Sequence, residues 1–210
     1  MTYPYPPPQH GHMPQSPHDL AALLGSRICH DLINPLGAIG NGVELLRMTQ
    51  AASPELELIA DSVAHAQARI RMFRLAFGAV REEQRISGRE IGSILEGLGK
   101  GGKLRFAWSV PVEVSRQEAK LLLLLVQCCE NAMPWGGVLS IGHEGAQWQL
   151  AGQASRLRLE PSLWDGLPRG EAPENPSPAE VHFALVPQML ADTGRQLHMQ
   201  TDEESLKISF

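Results

Sequence analysis

Apolar residues recur at helical spacing through the first third of the chain, then give way after Ile86 to a mixture of helical and alternating patterns. Between Pro17 and Ala51 the apolar positions include Leu20, Leu24, Ile28, Leu32, Leu36, Ile39, Val43 and Leu46, which predicts one long helix. Between Pro54 and Glu83, Leu56, Ile59, Val63, Ala66, Ile70, Phe73, Phe77 and Val80 follow one another by alternating steps of three and four, a heptad seam on a second helix. The short turn at Ala52-Ser53 folds these helices into an antiparallel hairpin. A lone hairpin cannot bury so broad an apolar stripe. The pattern therefore predicts a homodimer in which two hairpins build a four-helix bundle.

The remainder predicts an α+β domain with helices on one face of a mostly antiparallel sheet. A helix over Arg89–Leu98 runs into a glycine-rich turn, Gly97–Gly102, and a strand at Leu104–Ser109 follows. A strongly apolar helix is expected at Arg116–Met133, then strands at Val138–His143, Gln147–Gln153 and Arg156–Glu160. Residues 161–177 are rich in turns and proline. Ala179–Asp192 should be helical, stopped by Gly194, before closing strands at Arg195–Thr201 and Ser205–Phe210. Helix starts are signalled by Ser16-Pro17 and Ser53-Pro54, by Ser87 with Glu90, by Ser115 with Glu118, and by Ser177-Pro178 with Glu180. The division that results is a disordered, proline-rich tail at 1–16, a helical hairpin at 17–85 and the α+β domain at 86–210.

Composition narrows the function. With 43% hydrophobic and 20% charged residues the chain can bury a core, and a net charge of -5 gives no general reason to bind nucleic acid or an anionic membrane. The 3 cysteines, Cys29, Cys128 and Cys129, form neither a disulfide framework nor a zinc spacing, which fits a reducing cytoplasm. No secretory signal is visible, and the longest apolar run, Leu121–Val126, is too short to cross a bilayer. His10, His12 and His18 are too loosely spaced to read as a metal tract, and His65, His143, His182 and His198 read as structural. Cys128 and Cys129 are expected to pack within their apolar helix, and Trp108, Trp135, Trp148 and Trp164 within the core of the second domain. On the second helix, Arg69, Arg71, Arg74 and Arg81 can either solvate its surface or meet an acidic partner.

The densest chemistry lies in Arg27-Ile28-Cys29-His30-Asp31-Leu32-Ile33-Asn34-Pro35-Leu36. On a helix Arg27, His30, Asp31 and Asn34 share an arc of about 100°, away from the apolar seam. Neutral imidazole is a nucleophile suited to accepting a phosphoryl group. Asp31 can hydrogen-bond one ring nitrogen and leave the other free, or act as a base. Arg27 can offset phosphoryl charge, and Asn34 can orient a water. Equally, any helix has a polar face, and spacing alone leaves a surface histidine open. Pro35 costs a helical hydrogen bond, roughly 3 kcal/mol, and is expected to kink the helix one turn past His30.

His30-Asp31-Leu32-Ile33-Asn34-Pro35-Leu36 resembles the H-box of sensor histidine kinases, and Gln127-Cys128-Cys129-Glu130-Asn131-Ala132 resembles the N-box of their ATP-binding domain. No Asp-x-Gly-x-Gly follows Asn131, and Gly97–Gly102 lacks the Lys-Ser/Thr of a P-loop. Leu20-Ala21-Ala22-Leu23 with Cys29-His30-Asp31-Leu32, Gly37-Ala38-Ile39 and Asn41-Gly42 is similar to the ChpT family of alphaproteobacterial histidine phosphotransferases. That resemblance implies a histidine-kinase ATPase-like α/β sandwich that binds no nucleotide. It also implies phosphoryl transfer through His30, assisted by Asp31, Asn34 and Arg27. The chain itself would hold no cofactor or metal, with Mg²⁺ carried by the partner receiver domain. Implied partners are the receiver of a CckA-like hybrid kinase upstream and CtrA-like and CpdR-like regulators downstream. Two other readings stay open: a dimeric adaptor that binds receivers without chemistry, and a divergent ATP-dependent kinase.

Overall fold

A computed structural model describes residues 17–80 and 83–210. The expected tail at 1–16, with the Ser16 cap, and Arg81 lie outside the described residues. In chain order the elements are α1 (Pro17–Thr49), α2 (Pro54–Phe77), β1 (Arg85–Ser87), α3 (Gly88–Gly101), β2 (Leu104–Trp108), β3 (Glu113–Ser115) and α4 (Arg116–Ala132). They continue with β4 (Gly137–Glu144), β5 (Gln147–Gln153), α5 (Pro161–Trp164), α6 (Val181–Thr193), β6 (His198–Thr201) and β7 (Ser205–Ser209).

The first two helices form the hairpin that their seams predict, and α1 passes through Pro35 as one continuous helix. Ser53 caps α2 by accepting the Leu56 N–H at 3.2 Å, and Arg47 closes the turn on the Glu57 carboxylate at 3.0 Å. The second helix stops at Phe77, short of the expected Glu83. Gly78 is extended there, and a Cβ would stand 2.3 Å from the Arg74 carbonyl oxygen, so the chain leaves the helix where only glycine fits. The freed carbonyls at Arg74 and Leu75 accept hydrogen bonds from the Arg116 guanidinium, a partner that the local pattern of α2 does not contain.

The expected glycine turn at 97–102 is instead the second half of α3, which runs to Gly101 with Gly102 as its cap. Packing overrides propensity here. A Cβ on Gly97 would lie 2.7 Å from the Ala68 methyl and one on Gly101 3.2 Å from His65, so the glycines let α3 approach α2 closely. Ala68, Met72, Leu75 and Ala76 of α2 share one core with Ile91, Ile94, Leu95 and Leu98 of α3 and with the buried face of α4.

The main sheet has 5 strands in the order β2-β4-β5-β7-β6, parallel only between β2 and β4. Burial alternates strictly along β5, so one face of the sheet is covered and the other solvated. Arg156–Glu160 is not a strand. Both edges of β5 are already paired, and the Arg158 N–H donates to the Ala132 carbonyl at the end of α4. Its alternation is nevertheless real, because Leu157 and Leu159 pack on the core while their neighbours face outward. A small antiparallel pair, β1 with β3, was not expected from the pattern. Each of its strands ends in the cap of a helix: Ser87 accepts from the Glu90 N–H and Ser115 forms a capping box with Glu118. Among the tryptophans, Trp148 and Trp164 are core residues and Trp108 packs against the core. Trp135 is instead exposed, with the Arg156 guanidinium 3.5 Å over its ring.

His182 on α6 is buried beside Phe183 at 4.7 Å between ring centroids, and its Nε2 has no hydrogen-bond partner. Burial pushes its pKa down to about 4, against a smaller opposing pull from Glu180. The unfolded chain therefore takes up a proton between its ordinary value, about 6.5, and 4, and the folded chain does not. Stability should accordingly be highest above pH 6.5 and fall as the pH drops toward 4, by up to about 3 kcal/mol. Urea midpoints measured across pH 4–7 should show that slope, and it should flatten in His182→Leu. An equal slope in the variant would assign the acid lability to other groups.

Candidate functional site

The face of α1 opposite the core of the hairpin carries His30, Asp31, Arg27 and Asn34, all exposed. The helix sets them there because positions three and four apart stack on one side. Arg27 Nε donates to Asp31 Oδ2 at 2.8 Å, and His30 Nδ1 lies 3.3 Å from Asp31 Oδ1. The hydrogen bond from His30, with help from Arg27, holds the Asp31 carboxyl below its ordinary value. An ionised carboxylate only accepts, so a hydrogen bond between the two needs the proton on Nδ1, which leaves the Nε2 lone pair free. Asn34 follows one turn later and, among the described residues, makes no hydrogen bond to this cluster. The structure thus brings three of the four residues into direct contact and leaves Asn34 as their exposed neighbour.

Two contacts that the spacing did not reveal fix this stretch of α1 against α2. Ser26 Oγ donates to Ala22 O and accepts the Ala79 N–H at 3.3 Å, and Gln67 Nε2 donates to Leu36 O at 3.0 Å. They bracket His30 on either side. Both join residues far apart in the chain, so only the fold displays them; Gly40, where a Cβ would meet the Gln67 amide at 2.6 Å, was their one local trace. Cys29, beside His30, points the other way and is buried, which raises its thiol pKa.

Of the arginines on α2, Arg69 makes a two-pronged contact with Glu130 at 2.7 and 3.1 Å, Arg71 turns back to Gln67 O, and Arg74 lies 3.7 Å from Glu90. The stretch that resembles an N-box is likewise turned inward. Gln127 donates to Leu123 O within its own helix, Glu130 is engaged by Arg69, and Asn131 Oδ1 is buried without a hydrogen-bond partner. Burial raises the thiol pKa values of Cys128 and Cys129, which pack in the core as expected. Among the described residues, no three His, Cys, Asp or Glu side chains converge as a metal site. No helix among them is long and apolar enough to cross a membrane. A cleft of about 710 Å³ between α6 and β6 is lined by none of the His30 cluster.

A family model for the histidine phosphotransferase C-terminal domain matches residues 88–205. The protein phosphotransferase ChpT of Brucella abortus (strain 2308) is 32% identical over 198 residues, which span 91% of this chain and 94% of that protein. The 1.7 Å structure of a bacterial phosphotransferase superimposes with a TM-score of 0.65 at 30% identity, covering 94% of this chain and 98% of that one. The match of relative and fold across nearly the whole length, with the family model over residues 88–205, shows that this chain belongs to the ChpT-like histidine phosphotransferases.

Proposed function

We propose that this chain is a phosphorelay intermediate in which His30 takes a phosphoryl group from the aspartyl phosphate of one receiver domain and passes it to the aspartate of another. The observation that carries this reading is the exposed His30 imidazole, oriented through Nδ1 by an ionised Asp31 so that Nε2 is the free nucleophile. In the forward step Nε2 attacks phosphorus, the N–P bond forms and the acyl O–P bond of the donor breaks, returning a carboxylate. The positive charge that the ring gains is relieved through the Nδ1–H to Asp31, and Arg27 offsets the phosphoryl oxygens. The return step reverses these events on the second receiver. Mg²⁺ bound to the receiver would supply charge neutralisation at the phosphoryl oxygens in both directions, and Asn34 would orient a water when hydrolysis competes.

Leu24, Ile28, Leu32, Ile39, Leu46 and Ile59 are exposed on a single hairpin, which supports a homodimeric four-helix bundle. Residues 17–85 would then be the dimerisation and phosphotransfer unit, and 86–210 a receiver-docking unit of ATPase-like descent that takes no nucleotide. CckA-like, CtrA-like and CpdR-like receivers are the partner class we favour. Incubation with a radiolabelled phospho-receiver and Mg²⁺ should place acid-labile, alkali-stable label on the chain, whereas labelled ATP should place none. Label from ATP alone would make it a kinase, and no label from a panel of receivers would leave a binding adaptor.

A further inference from the structure

The contacts that join α2 to α4 lie at the level of His30. The Ser26–Ala79 and Leu36–Gln67 cross-links bracket His30 on α1 and span residues 67–79, the last turns of α2 and the two residues after it. Within that same span α4 grips α2 at both ends. At one end the Arg116 guanidinium, 3% exposed, donates to Leu75 O at 2.5 Å and Arg74 O at 2.9 Å, and Lys120 Nζ donates to Gly78 O at 3.2 Å. At the other end Arg69 and Glu130 form their two-pronged pair, with side chains 30% and 20% exposed.

These groups are a costly way to hold two helices together. Desolvation lowers the Arg116 pKa to about 10, and a partly buried ion pair adds little net stability compared with apolar packing. The planar guanidinium–carboxylate fork does have one property that packing lacks: it fixes rotation and register. The apolar contact of Ala68, Met72, Leu75 and Ala76 with α3 and α4 supplies cohesion, to which the fork adds a directional constraint.

We infer that Arg69 and Glu130 are positioning residues for phosphoryl transfer: with Arg116 at the far end of the contact, their ion pair braces the α/β unit at one orientation to His30, so that a receiver resting on both meets Nε2 in line. The inference rests on the reading of His30 as the phosphoacceptor. In-line transfer tolerates little misplacement, and about 1 Å at a reacting centre can cost a hundredfold. A small donor that touches only His30 needs no brace.

The test is a charge-reversal cycle on the full-length dimer, comparing two phosphoryl donors. Inorganic phosphoramidate transfers its phosphoryl group to His30 with loss of ammonia, forming one N–P bond and breaking another. A phospho-receiver must dock first. Arg69→Glu and Glu130→Arg should each raise the KM for the phospho-receiver by about tenfold or more and leave phosphoramidate labelling unchanged, while the double reversal restores the receiver KM. Circular dichroism verifies that the variants are folded, and the neutral pair Arg69→Gln and Glu130→Gln, expected to show a smaller rise, covers a reversal that does not fold. Wild-type KM in the single and neutral variants would overturn the brace. So would impaired single variants that the double reversal fails to rescue, because each residue would then act through contacts of its own. A wild-type chain labelled by neither donor would overturn the reading of His30, and the brace with it.

Discussion

His30→Ala takes no label from a phospho-receiver that labels the wild-type chain, a loss of at least about a thousandfold, because no neighbouring side chain can replace the attacking nitrogen. Asp31 is a carboxylate and Arg27 a protonated guanidinium beside it, so neither offers a nitrogen lone pair for an acid-labile N–P bond. The variant should keep the fold, since the His30 side chain is 69% exposed and, among the described residues, hydrogen-bonds only with Asp31. Asp31→Asn should label more slowly, by about 10²–10⁴, because an amide can present its N–H₂ to Nδ1 and so place the ring proton on Nε2, the wrong nitrogen for attack. The measurement is the initial rate of label transfer, with circular dichroism to verify folding. Full labelling of His30→Ala would remove His30 from the mechanism and leave the polar face of α1 as ordinary helix surface.

Placing acids on the apolar seam should convert the chain from dimer to monomer. Ile39 and Ile59 are 51% and 49% exposed on the hairpin, far enough from His30 to leave its cluster intact. With about half of each side chain exposed on the hairpin, its burial across a bundle contributes about 0.75–1.5 kcal/mol, and a homodimer buries each position twice. Ile39→Asp with Ile59→Asp should therefore weaken association by about 3–6 kcal/mol, or roughly 10²–10⁴ in Kd. Sedimentation equilibrium at micromolar concentration should give twice the 23.0 kDa chain mass for the wild type and the single mass for the double variant. A wild-type chain that sediments as a monomer would refute the bundle, and the exposed stripe would then need a different partner. Because the brace lies on the opposite, buried side of α2, the double variant should still accept label from phosphoramidate.

How much of this was legible in advance depended on how local the cause was. The hairpin, the Ser53, Ser87 and Ser115 caps and the strand at Gln147–Gln153 all follow from residues within a turn or two of one another, and the structure has each of them. The His30 cluster was legible for the same reason, since Arg27, His30 and Asp31 meet by helical spacing alone. Alternation at Arg156–Glu160 misled because period-two burial records which side chains face the core, whereas strand identity requires a free edge to pair with. The glycines of α3 misled in the opposite direction: their low helix propensity is outweighed by the close approach to Ala68 and His65 that they permit.

What the sequence determined by itself was therefore the long amphipathic helices, their caps, and the presentation of a histidine with its acid on an exposed face. These are properties of consecutive turns. The tertiary structure alone decided where α2 ends, which strands have partners, and that Arg69 faces Glu130 rather than solvent. The contacts behind them include ones between groups 31 residues or more apart, as in the Gln67–Leu36, Arg116–Leu75 and Arg69–Glu130 hydrogen bonds. Their energy comes from desolvating and pairing groups that meet only after the chain has folded, and no local period encodes such a meeting.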